Sequence, residues 1–151
     1  MSLPSMTGVG RLTADPEIRF SQSGVAVLTV PLAFNARRKD ESGNWVDGDS
    51  FFVRGTLFRE AAENGAESLS KGMEVVVTGR LKTDQWEDRE TGQKRSAPAL
   101  LIDSIGPNVR FVTVTVNKVE RNGSGGSGGS APWGSAPTPA GRGGWSDEPP
   151  F

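Results

Sequence analysis

Turn-forming residues divide the first 120 residues into short extended runs, and this pattern constrains the fold more than any other feature. Ala14-Asp15-Pro16, Ser23-Gly24 and Gly106-Pro107 interrupt stretches that are rich in apolar and β-branched residues. Runs of this kind, bounded by Gly, Pro, Asn and Asp, are typical of β-strands. They lie at residues 8–12, 25–34, 51–58, 73–86 and 97–105. The pattern predicts an all-β domain.

One helix is expected between the third and fourth strands, where alanines and a leucine recur at helical spacing over residues 59–70 and Lys71-Gly72 follows as a stop. Gly65 weakens this helix by roughly 1 kcal/mol, so we expect it to be short and packed. A further alternating run predicts an extra C-terminal strand at about 109–119. Together these elements predict a five-stranded OB-fold barrel over residues 1–121.

Composition argues against catalysis. The chain has no His and no Cys, which removes the commonest general base, the commonest zinc ligand and the thiol nucleophile. We therefore expect no enzymatic activity, no cofactor and no metal site. No apolar run is long enough for a membrane span and no leader opens the chain, which favours a cytoplasmic, nucleoid-associated protein without membrane contact. Residues 1–121 carry 16 basic and 16 acidic side chains, so any nucleic-acid binding must depend on where these charges lie.

The third and fourth strands each have two distinct faces, because side chains alternate along a strand. One face of both strands is apolar or small. The other face combines aromatic and cationic side chains: Phe52, Arg54 and Phe58 on the third strand, and Arg80, Lys82 and Trp86 on the fourth.

Exposed aromatics interleaved with cations are suited to single-stranded nucleic acid. Stacking of a base on an aromatic ring contributes on the order of 1–3 kcal/mol without regard to the base, and Arg or Lys would meet the phosphates. The alternative is that Phe52 and Phe58 belong to a two-sided core covered by the helix or by another subunit. Phe20 and Phe34 are expected in the core and receive no binding role.

A long loop is predicted over residues 40–49, between the second and third strands. Trp45 lies in this loop, where it could stack on a base or pack locally. Arg37, Arg38 and Lys39 open the loop and are either solvated or in contact with phosphates.

Residues 122–151 hold nine Gly, five Ser and five Pro, a composition that predicts a disordered tail. The last five residues differ from the rest of the tail. They form an anionic, apolar tip that we interpret as a protein-binding ligand, made of Asp147, Glu148, Pro149, Pro150 and Phe151.

Three stretches resemble bacterial single-stranded DNA-binding proteins: residues 10–20 (GRLTADPEIRF), residues 72–82 with Trp86 (GMEVVVTGRLK), and the acidic tip ending in Pro-Phe. Details such as the SDEPPF ending are similar to the actinobacterial branch or its phages. The resemblance implies an OB fold, a homotetramer and stacking positions at Phe52, Phe58 and Trp86. It also implies a tip that docks on replication, recombination and repair enzymes, and an extra strand that clamps neighbouring subunits.

Two features depart from that family. Arg37 and Arg38 stand where better-studied relatives have a Trp, so one stacking site is lost unless Trp45 replaces it. The start, residues 1–6, is less apolar than the usual first strand, and Pro4 is tolerable only at a strand edge or start. The expected function is sequence-nonspecific binding of single-stranded DNA, in a replicative protein or a paralogue. The alternative is an OB-fold adaptor that binds protein without tight DNA binding.

Overall fold

The computed structural model describes residues 1–120, of which Met1–Thr115 form one compact unit. The elements in chain order are β1 Ser5–Leu12, β2 Glu17–Phe20, β3 Ala26–Lys39, β4 Trp45–Phe58, α1 Glu60–Ser68, β5 Glu74–Glu87 and β6 Lys94–Pro107. Five strands are long and the helix lies between the third and fourth of these, as predicted, while β2 is a short addition. The predicted disordered tail and its tip lie outside the described residues.

The five long strands close into a ring. The sheet order is β1-β5-β6-β4-β3-β2, and a further pairing of β1 with β3 joins the ends of the five-strand set. All pairings are antiparallel except that of β4 with β6, where Arg54 is opposite Ala99 and Thr56 is opposite Leu101. The predicted OB-fold barrel is confirmed, with β2 attached outside the ring through β3.

The core is the inside of this ring. Its most deeply buried side chains come from β1, β3, β5 and β6, and they are Leu12, Leu28, Val30, Leu32, Val75, Val77 and Leu100. Complete burial of a Val or Leu side chain contributes about 1.5–3 kcal/mol. The alternation predicted for the fourth long strand is confirmed, because Val75 and Val77 face inward while Val76 and Arg80 are exposed.

The helix packs against β3 and β4 and is shorter than expected. A Cβ at Gly65 would lie 2.7 Å from Cδ2 of Leu28, so the glycine allows close approach of the helix to the barrel. The helix ends at Ser68, before the predicted stop, because Leu69 turns to an extended conformation with its side chain buried. Gly72, at φ 84°, then occupies the turn into β5.

The loop predicted over residues 40–49 is wrong in length, because the strands continue into it. Lys39 is paired with Trp45, so β3 and β4 extend as a hairpin arm and the turn between them is residues 40–44. Oδ1 of Asp40 accepts hydrogen bonds from the backbone N–H groups of Ser42 and Asn44, both at 2.9 Å, and Gly43 takes φ 81°. The side chain of Asp40 therefore closes a tight turn where the composition predicted a long loop.

The extra strand expected at about 109–119 is not formed in the described chain, whose strands end at Pro107. Its alternating valines Val112, Val114 and Val116 are exposed. A strand needs a backbone partner, and the sequence pattern alone does not supply one. At the other terminus, β1 begins at Ser5, directly after Pro4, whose carbonyl accepts a hydrogen bond from the N–H of Leu81 at 2.8 Å.

Candidate nucleic-acid interface

The outward face of β4 carries the aromatic residues that the alternation predicted. Phe52 and Phe58 keep 64% and 48% of their surface exposed, while Val53 and Leu57 between them are buried. Neither α1 nor any other part of residues 1–120 buries these rings. Within one chain they are therefore not members of a two-sided core.

Strand pairing extends this face across the sheet from β2 to β5. Residues paired directly across neighbouring strands share a face. The outward rows are Arg19 with Val27 and Phe58; Thr29 with Thr56, Leu101 and Arg80; and Pro31 with Arg54, Ala99 and Lys82. We call this surface the outward face. It brings Arg54, Phe58, Arg80 and Lys82 together on one side of the barrel.

An open groove of about 710 Å³ crosses the outward face. Phe52 and Arg54 of β4 line one side and Trp86 of β5 lines the other, with 49% of the Trp86 surface exposed. The remaining lining residues are Thr13, Pro31, Leu32, Val53, Asp84, Gln85, Ala97 and Pro98. Two aromatic side chains and a cation in one groove can hold flat, anionic ligands.

The predicted cations differ in whether their charge is already paired. Arg80 forms an ion pair with Asp103 at 3.2 Å, and Lys82 forms one with Asp84 at 2.6 Å. Arg54 has no carboxylate within 4 Å among residues 1–120. Half-exposed ion pairs contribute only about 0–1 kcal/mol, so a phosphate can compete for Arg80 and Lys82, but Arg54 has no pair to break.

Trp45 lies on the hairpin arm and not beside the groove. It is 60% exposed and the ammonium of Lys39 lies 5.3 Å from its ring centroid, a cation–π contact. An extra residue of β4 between Asp47 and Ser50 shifts its alternation, so parity is followed along β3 instead. Trp45 pairs with Lys39, which has the parity of Ala33, the partner of Phe52, so Trp45 and Phe52 are on the same side of the hairpin.

The three cations of the arm are divided between its two faces. Arg37 and Lys39 have the β3 parity of Pro31 and lie on the Trp45 side, whereas Arg38, opposite Val46, lies on the other side. The structure therefore brings Arg37, Lys39 and Trp45, but not Arg38, to the same side of the hairpin as the groove.

The two phenylalanines expected in the core have different positions. Phe34 packs on the core, and its ring lies over Gly8 and Gly10 of β1, with a centroid distance of 6.3 Å to Phe51. Phe20 is 62% exposed on β2, so its predicted burial is wrong within this chain. A four-residue strand with a neighbour on one side gives its side chains little to pack against.

Sequence reasoning missed Arg19, Thr29 and Pro31 on the outward face. Val27, Thr29 and Pro31 alternate with fully buried residues, so the parity of the second long strand would have found Thr29 and Pro31. Arg19 depends on β2, which is too short to carry a usable alternation signal. Its guanidinium lies 3.4 Å from a carboxylate oxygen of Glu17.

Two other classes of site do not occur in the part of the chain that the structure describes. No helix there has the length and apolarity needed to cross a bilayer. Nor does that part contain a group of three or more acidic, His or Cys side chains placed to hold a metal ion.

Known proteins with a similar sequence share one description. The model of the single-strand binding protein family matches residues 4–121. Single-stranded DNA-binding proteins of Mycobacterium tuberculosis and Mycolicibacterium smegmatis are 47% identical over 160 aligned positions and 48% identical over 161, with 97% of both chains covered in each case.

Solved structures give the same result. A small single-stranded DNA-binding protein of Streptomyces coelicolor matches with a TM-score of 0.62 and 29% identity, over 72% of this chain and 97% of that one. The single-stranded DNA-binding protein of Thermus aquaticus, as a deletion mutant, matches with a TM-score of 0.57 and 32% identity, over 71% of this chain and 51% of that one. The family assignment that the sequence motifs predicted is confirmed: this chain belongs to the single-strand binding protein family.

Proposed function

We propose that the protein binds single-stranded DNA without sequence preference and coats exposed strands during replication, recombination and repair. The observation that carries this proposal is the open groove in which Phe52, Arg54 and Trp86 converge. Rings with about half of their surface exposed can stack on any base, and the arginine can meet a phosphate. Duplex DNA keeps its base faces covered and cannot use such a groove.

The proposed binding site includes every cation and aromatic residue singled out in the sequence, in two groups. The first is the outward face with Phe52, Arg54, Phe58, Arg80, Lys82 and Trp86. The second is the hairpin arm with Arg37, Arg38, Lys39 and Trp45, which a strand leaving the groove would meet next.

Assembly and recruitment complete the proposal. A homotetramer would place four grooves within reach of one strand, and the cytoplasm, at the nucleoid, is where that strand occurs. The tip, residues 147–151, offers an aromatic ring, a terminal carboxylate and two acidic side chains to a basic, apolar pocket on a partner enzyme. Four such tips would raise the local concentration of this ligand for replication, recombination and repair enzymes.

A titration of the full-length protein tests the binding proposal. Oligo-dT, a mixed-sequence single strand and a duplex are each titrated at two salt concentrations. We expect tight binding of both single strands and weak binding of the duplex. For the single strands, log K should fall linearly with the logarithm of the salt concentration. Absence of tight, salt-sensitive binding to either single strand would instead support a protein-binding adaptor.

Deletion of Phe151 tests the division of labour between domain and tail. We expect oligo-dT affinity to be unchanged, because the tip is not part of the proposed groove. Loss of oligo-dT binding in this variant would contradict the proposal that the tip serves other proteins.

A further inference from the structure

Arg59, between β4 and α1, has an unusual backbone. It adopts φ 61° and ψ −135°, and it is the one residue other than glycine with positive φ among those described. The other positive-φ positions are Gly24, Gly43, Gly72 and Gly92. Side chains other than glycine rarely adopt this region because Cβ clashes with the backbone, so Arg59 is strained.

The fold needs the backbone of Arg59 but not its side chain. The N–H of Arg59 donates to the carbonyl of Ala26 at 2.8 Å, and its own carbonyl accepts from the N–H groups of Ala62 at 3.0 Å and Glu63 at 3.2 Å. These bonds tie β4 to β3 and begin the helix. A glycine would make all of them without strain.

The side chain of Arg59 makes no contact that explains its presence. It is exposed and does not cap the helix. Its guanidinium has no hydrogen bond, ion pair or cation–π contact with any residue from 1 to 120, although Glu60 and Glu63 are close in sequence. The strain is therefore not offset by a hydrogen bond, ion pair or cation–π contact of this side chain within the described chain.

The position of Arg59 indicates what its charge contacts. It directly follows Phe58, the last residue of the outward row Phe52, Arg54, Thr56 and Phe58. At about 3.3 Å per strand residue, Arg59 is roughly 16–17 Å beyond Arg54, so two unpaired arginines could meet different phosphates of one strand.

We propose that Arg59 is a phosphate-binding residue that extends the single-strand interface from the groove past Phe58 to the start of α1. An arginine occupies this strained position because its charge binds DNA. This inference rests on the proposed function.

The test compares Arg59→Gly, Arg59→Ala and Arg59→Lys in the full-length protein by oligo-dT titration and thermal melting. Both neutral variants are expected to lose about 3–10-fold in affinity near 50 mM salt and to reduce the slope of log K against log salt by about 0.7 for each phosphate that is no longer neutralised. Arg59→Lys should keep most of that slope. Because glycine relieves the strain and alanine does not, Arg59→Gly should melt about 3–6 °C above Arg59→Ala at equal protein concentration.

Arg110→Gln is the charge-matched control, because Arg110 lies beyond β6 and stacks on Phe111 instead of joining the outward face. Its slope should equal that of the parent. If the parent binds oligo-dT tightly but Arg59→Gly binds with the same affinity and slope, Arg59 contacts no phosphate and this inference fails alone. If the parent itself does not bind, the proposed function fails. A melting temperature of Arg59→Gly below that of Arg59→Ala would overturn the assignment of strain.

Discussion

Strands β4 and β5 contribute to the same outward face but present their chemistry differently. On β4, Phe52 and Phe58 flank Arg54, whose charge is unpaired among residues 1–120. On β5, Arg80 and Lys82 are each in an ion pair with a carboxylate. Alternation along a strand determines which side chains reach the ligand. The neighbours of a cation determine whether its charge is available, and these come from the register of the sheet.

The inward sides of the same two strands also differ, and the largest expected effect concerns them. A Cβ at Gly79 of β5 would collide with the backbone carbonyl of Leu101, while a Cβ at Gly55 of β4 would meet Cδ1 of Ile102 at 2.5 Å, the movable end of a side chain. We expect Gly79→Ala to lower the free energy of unfolding by about 3 kcal/mol and Gly55→Ala by about 1 kcal/mol, because a paired backbone cannot shift cheaply. Urea denaturation at one protein concentration measures both.

Equal losses of unfolding free energy in the two glycine variants would contradict this difference between β4 and β5. They would mean that the pairing of β5 with β6 adapts at its irregularity, where Asp103 of β6 is the extra residue, as readily as Ile102 repacks beside β4.

Aromatic truncation on the outward face should have the next largest effect. Trp86→Ala and Phe58→Ala are each expected to weaken oligo-dT binding by about 1–3 kcal/mol, roughly 5–150-fold, because each removes a stacking surface. Filter binding at low salt measures the change, and melting temperatures confirm that the exposed side chains were not needed for folding. Parent-like binding by both variants would show that bases do not stack on Phe58 or Trp86.

Removal of single charges should show the difference between β4 and β5 directly. Arg54→Gln is expected to reduce the salt slope by about 0.7 for each phosphate it neutralises and the affinity about 3–10-fold, since Arg54 has no pair to break. Lys82→Gln should change both quantities less, because its charge is already matched by Asp84. A larger effect at Lys82 than at Arg54 would invert the comparison between the strands.

Asp84→Asn serves as the control of opposite sign. It releases Lys82 and removes a negative charge from the groove lining, so oligo-dT affinity should rise and the salt slope should steepen. Weaker binding by this variant would show that the carboxylate itself holds the ligand.

The smallest effect is expected at the hairpin arm. Trp45→Ala should cost less than about 1 kcal/mol of binding, because its ring does not line the groove and is already in contact with Lys39. The same filter-binding assay compares it with Trp86→Ala. A loss at Trp45 equal to that at Trp86 would show that the strand wraps around the arm and that the missing loop aromatic has a replacement.

Sequence alternation was sufficient to identify the strands and faces that form the barrel. Val53, Leu57, Val75 and Val77 mark the inward sides of β4 and β5 without any knowledge of pairing. Features that depend on distant partners could not be found this way. Arg80 and Asp103 are 23 residues apart and meet only through the register of β5 with β6.

The arm and β2 escaped prediction for local reasons. A single side chain, Asp40, closes the arm's turn and allows both strands to continue. Strand β2 has only four residues, too few for an alternation pattern to be distinguished from a loop.

The short parallel pairing of β4 with β6 affects the stability of the ligand-bound barrel. It consists of three paired positions, from Arg54 with Ala99 to Thr56 with Leu101, and the groove residues lie on both sides of it. Separating these strands would part Phe52 from Ala97 and Pro98 and dismantle the groove. DNA that occupied the proposed groove would bind only the closed ring, so each bound strand would shift the opening equilibrium toward closure by RT ln(1 + [L]/Kd). Coating would then protect the protein as well as the DNA, because heat or a protease would separate β4 from β6 least readily where the strand lies across them.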